Sequence, residues 1–148
     1  MTRRAPRPSG PVCLALILVA LGLISSATGA KIQVRPNQSI QAAINQASPQ
    51  DTIVVMPGTY AEQLTIDKDG IALVGHSAIL VPPSSAASNL CSGLAGDNTE
   101  AGICVLGSDV VLAPFVSEHR KVISVGKPVK GVSITGFQII NFSGENVA

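Results

Sequence analysis

SIQAAINQASPQDTIVVMPGTYAEQLTIDKDGIALVGHSAIL, Ser39 to Leu80, joins one short amphipathic helix to a run of strands separated by glycine and proline. Ser39 can cap a helix in which Ile40, Ala43, Ile44 and Ala47 recur at i, i+3, i+4 and i+7, forming one apolar stripe that ends at Ser48-Pro49. Beyond it the segments are short, β-branched and bounded by Gly, Pro, Asp or Asn. Strands are expected at Lys31 to Val34, Thr52 to Val55, Leu64 to Ile66, Ile71 to Val74 and Ile79 to Val81. They resume after a loop from Pro82 to Ala101, at Ile103 to Leu106, Val110 to Ala113, Val122 to Val125, Val132 to Thr135 and Phe137 to Ile140.

An internal repeat suggests how these strands are arranged. GIALVGHSAI from Gly70 recurs as GVSITGFQII from Gly131, which aligns Gly75 with Gly136 and His76 with Phe137. Tandem rungs explain the match: Ile71, Leu73, Val132 and Ile134 point inward at period two, and the glycines allow the bend between sheets. The fold expected is all-β, a right-handed parallel β-helix (solenoid) whose N-terminal α-helix caps the first rung. Chance similarity between strand-turn-strand units of an antiparallel fold is the competing explanation.

Pro57 to Ile66, PGTYAEQLTI, followed by Asp69 to Gly75, DGIALVG, resembles the opening of proteins in the pectin-lyase-like superfamily. The resemblance covers about Ile32 to Ile79 and implies the same β-helix. It also implies kinship with lyases, hydrolases and esterases of uronic-acid polysaccharides, and with non-catalytic relatives. In those enzymes the catalytic groups and calcium ligands lie on middle rungs, and this chain reaches Ala148 as another turn begins, so the solenoid is expected to be truncated. Gly58, Thr59, Tyr60 and Glu62 match a pectinesterase core, whereas Met56 and Ala61 depart from it. No catalytic motif of these enzymes falls on residues of this chain, so the catalytic residues are unknown and calcium enters by family analogy alone.

The chain opens as an export leader: Arg3, Arg4 and Arg7, an apolar run from Val12 to Ile24, then small residues to Ala30. Residues 1–30 are therefore expected to be a signal peptide and residues 31–148 the N-terminal part of one domain, secreted or extracellular, or periplasmic in a bacterium. The apolar run is short against the roughly 20 residues of a membrane span, so no span is expected after leader removal. Removing residues 1–30 leaves seven basic residues against nine acids, a net charge of −2. No basic stripe remains, which argues against a nucleic-acid partner.

Cys13 falls in the leader, and Cys91 and Cys104 form an even pair in an oxidising compartment. A disulfide between them would close a glycine-rich loop; two separate buried thiols are the alternative. Asn37-Gln38-Ser39 and Asn141-Phe142-Ser143 fit the glycosylation pattern, with Asn141 exposed to the alternative of stacking inside the solenoid. Among the nine acids, Asp67, Asp69, Asp97, Glu100, Asp109 and Glu62 are the candidates for catalysis or calcium, and each reads first as part of an ordinary polar turn or loop. His76 suits a rim position, His119 an exposed loop, and Tyr60 packing at a turn rather than sugar stacking. With Phe115, Phe137 and Phe142 the only other aromatics, no stacking platform for neutral glycans is expected. No cofactor is identifiable.

Two functions follow as expectations. One is a secreted relative of enzymes acting on acidic polysaccharides, itself without an identifiable active site. The other is a non-catalytic extracellular module for glycan binding or surface interaction.

Overall fold

The computed structural model describes residues 29–86, 89–114, 116 and 120–148. Residues 1–28, which hold Cys13 and most of the expected leader, lie outside the described residues, as do Phe115 and His119.

Helix α1 (Ile40–Gln46) follows strand β1 (Lys31–Val34) and buries Ile40, Ala43 and Ile44, the stripe expected from their spacing. Its contacts are to β1, to β2 (Thr52–Val55) and to β4 (Leu64–Ile66). Ser39 caps the first turn, its Oγ accepting the Ala42 N–H at 3.0 Å. The remaining amides at that end go to a residue far along the chain: Glu62 accepts the Ile40 N–H on Oε1 at 2.9 Å and the Gln41 N–H on Oε2 at 3.0 Å. At the other end Lys68 Nζ donates to the carbonyls of Ile44, Asn45 and Ala47, each at 2.8 Å. An anion at the amino end and a cation at the carboxyl end both oppose the helix dipole while satisfying its orphan groups. A helix of seven residues is too short to persist alone, so these two side chains and the buried stripe hold it.

The largest sheet is parallel and five-stranded. Strand β5 (Ala72–Val81) is its spine: β2 pairs with residues 72–75 and β3 (Gly58–Ala61) with residues 78–81, while β9 (Ser133–Ile139) pairs with β5 as well and β1 extends the sheet from β2. A second, two-stranded parallel sheet joins β4 to β6 (Ile103–Val105). Ile53, Val55, Leu64, Ile66, Ile71, Leu73, Leu80 and Ile103 are fully buried in one cluster between these strands and α1. Each such side chain contributes on the order of 1.5–3 kcal/mol by leaving water.

A right-handed parallel β-helix is not what these strands form. The sheets are mixed: beside the two parallel ones, β7 (Ser108–Leu112) and β8 (Val122–Lys127) pair antiparallel, with Val110 opposite Val125 and Val111 opposite Ser124. The expectation of an all-β solenoid fails physically between residues 82 and 130. There the repeat is interrupted by the cysteine loop and by a hairpin, and β-branched residues specify a strand without specifying its direction.

The repeat itself is seated in register at first, Ala72 opposite Ser133, Leu73 opposite Ile134 and Val74 opposite Thr135. It then slips. Ala78, not His76, lies opposite Phe137, because Gly75, His76 and Ser77 bulge against the single residue Gly136. His76 is exposed at this bulge, and the two strands expected on either side of it are one. Gly75 and Gly136 face each other so closely that a Cβ on Gly136 would collide with the Gly75 carbonyl oxygen, and Gly136 has φ +71°.

Candidate functional site

Three of the acids singled out in the sequence, Glu62, Asp69 and Glu100, are engaged in hydrogen bonds that fasten separate parts of the fold. Glu62 also accepts the Ser39 hydroxyl at 2.7 Å, which completes the amino-terminal clasp of α1. Asp69 Oδ1 accepts the Lys130 N–H at 2.8 Å, while the Asp69 carbonyl accepts the Gln50 N–H and the Lys130 carbonyl accepts the Gly70 N–H. These bonds tie the turn before β5 to the turn before β9. Glu100 Oε2 accepts Gln63 Nε2 at 2.8 Å and Ser92 Oγ at 2.7 Å, and its own N–H donates to Ser143 Oγ. Asp97 and Asp109 are exposed, Asp109 accepting the neighbouring Ser108 hydroxyl at 3.2 Å. Among the described residues no three His, Cys, Asp or Glu side chains converge as a metal site.

Asp51 is a further acid held inside the fold. It is 6 % exposed, its two oxygens accepting the N–H groups of Ala30 and Ser48. The Ser48 bond is local, three residues away, whereas the Ala30 bond spans 21 residues and has no local signal.

Cys91 and Cys104 are disulfide-bonded, with Cα atoms 5.8 Å apart. The bridge closes the glycine-rich loop expected, and on a chain-entropy account a loop of this size gains about 3 kcal/mol. With Ala101 the cystine forms a small second core, against which Leu94, Leu106 and Ala148 pack. Between this core and the β7–β8 hairpin lies an apolar groove of about 120 Å³, lined in part by Leu94, Leu106, Val110, Leu112, Val122 and Val125. A second cleft, of about 360 Å³, has Asp67, Lys68, Asp69 and Lys127 on its walls together with Pro49, Pro128 and Val129. Lys68 in that cleft is already turned to three helix carbonyls.

Tyr60 is buried in the main core, 4 % exposed, and donates its hydroxyl to the Met56 carbonyl at 2.9 Å. It sits on strand β3, which the sequence reading took for a turn. Burial first, and the negative Glu62 second, hold its phenol above the ordinary value of 10.0. The fold therefore favours the neutral phenol: its contribution is fully present below about pH 10 and is lost as pH rises through the higher folded value. As the chain has one tyrosine and no tryptophan, its phenolate absorbance reads this group alone. On alkaline titration that absorbance should rise together with loss of structure by circular dichroism; full ionisation in a still-folded protein would contradict the assignment.

Asn37 and Asn141 are both exposed, with φ of 69° and 65°, so Asn141 does not stack inside the molecule. Among the described residues no helix is long and apolar enough to cross a membrane. No family model, curated protein or solved structure matches this chain.

Proposed function

We propose that the chain is an extracellular, non-catalytic interaction module. Its contact surface is the β7–β8 hairpin. One observation carries this reading: the hairpin is apolar on both faces. Val110, Leu112, Val122 and Val125 turn to the groove, while Val111 is 50 % and Ile123 61 % exposed. All six residues of β8 are exposed, and among the described residues β8 pairs with β7 alone. An unpaired strand edge with apolar side chains suits a protein partner that adds an extended apolar segment to it. Exposed Val and Ile on a strand edge are otherwise an aggregation liability, which a standing partner would remove. The disulfide supports the extracellular part of the reading, because such bonds persist in oxidising compartments.

Action on acidic polysaccharide draws on the resemblance alone. The bonds of Glu62, Asp69 and Glu100 to backbone and amide groups weigh against it, since a general acid or base must reach substrate.

The test is labelled protein applied to the surface of cells of its source. Binding should saturate, compete with unlabelled protein, and fall at least about tenfold in a Val111→Lys/Ile123→Lys double variant, as expected for loss of apolar anchors. The variant's melting temperature should stay within a few degrees, because both side chains are already exposed. Undiminished binding by the folded variant would remove the hairpin from the proposal.

A further inference from the structure

Ala30 is bonded into the fold through both of its backbone groups. Its N–H donates to Asp51 Oδ1 at 2.6 Å, and its carbonyl accepts the Thr52 N–H at 2.8 Å. Asp51 is buried, and the two groups that meet its oxygens, the N–H of Ala30 and the N–H of Ser48, are both uncharged. On the other side of the Ala30 amide, Gly29 has no room for a side chain, since a Cβ there would collide with the Gln50 carbonyl oxygen. The small residues before this point permit more than one leader cut. Ala27 and Gly29 suit a cut before Ala30, and Thr28 and Ala30 suit a cut after it.

We propose that a leader peptidase hydrolyses the Gly29–Ala30 bond and that Asp51 is the built receptor for the new α-ammonium of Ala30. This rests on the export reading above and moves the expected leader boundary from Ala30 to Gly29. Water supplies the hydroxyl that completes the Gly29 carboxyl group and the hydrogen that completes the Ala30 amine, which then takes one proton from solvent. The cut precedes folding, while the chain is extended. A cut after Ala30 would delete both of that residue's bonds and leave a buried carboxylate oxygen without its donor, which is costly. A cut before Gly29 would keep that glycine pressed against Gln50 and hold the ammonium away from Asp51. Only the cut between them places a cation against the buried carboxylate, so that both partners of the hydrogen bond carry charge.

The experiment is N-terminal sequencing and intact-mass analysis of the protein that an exporting host releases from the full-length precursor. The expected product begins at Ala30. Gly29→Arg should lower its yield roughly tenfold or more, because a large charged residue cannot occupy the last leader position. Ala30→Lys should be processed normally and begin with the substituted residue, since its side chain is exposed and falls after the cut. An exported product beginning at Lys31, or upstream of Ala30, would overturn this inference and leave export standing. So would normal processing of Gly29→Arg with failure of Ala30→Lys. A precursor retained with its leader intact would overturn both.

Discussion

Ile44→Asp should cost roughly 4–6 kcal/mol, enough to unfold most or all of the protein at room temperature. Ile44 is fully buried on the stripe of α1 that packs toward β1, β2 and β4. An aspartate there would lose its hydration among Ile40, Ala43 and the strand side chains, and the helix could not turn it to solvent without exposing Ile40 as well. Asn45→Asp on the exposed face of the same helix is the control and should cost no more than about 1 kcal/mol, the effect of an exposed negative charge in the last helical turn. Urea unfolding followed by circular dichroism reads both. Equal midpoints for the two variants would show that the stripe is not buried.

The second large effect lies at the far edge of β5. Gly136→Ala should destabilise by roughly 2–4 kcal/mol, combining a left-handed backbone conformation with a forced separation from the Gly75 carbonyl. Gly75→Ala meets the same obstacle from the other strand, its Cβ falling 2.6 Å from the Gly136 oxygen. One widening of the sheet would relieve both, so the double variant should cost less than the sum of the singles by about 1 kcal/mol or more. Strict additivity would mean that the two glycines do not face each other, and the β5–β9 register would have to be redrawn.

These two sites show what could and could not be read from sequence. The α1 stripe follows from local spacing, and the cystine from parity and compartment. The positions of most strands follow from β-branched runs. Direction does not: β7 and β8 look like the parallel strands around them, and their antiparallel pairing depends on a hairpin path that no residue type between them announces. Nor does the bulge at Gly75-His76-Ser77, which shifts the repeat by two positions and becomes visible only against its partner strand.

The acids were harder still. Glu62 and Lys68 each serve a helix some 21 to 24 residues away, and Glu100 serves Gln63 from 37 residues away. Their local surroundings are those of polar turns, which identifies them as solvated loop residues when they are in fact the polar fastenings of the fold. Burial and long-range geometry make that difference, and neither is a local property.

The central claim is that these acids fasten the fold rather than turn over substrate. It is tested most directly by incubating the purified protein with pectin and calcium and measuring unsaturated uronides, reducing ends and released methanol together. No product above the protein-free blank is expected. Calcium-dependent product that disappears in a Glu100→Gln variant retaining its fold would contradict the account.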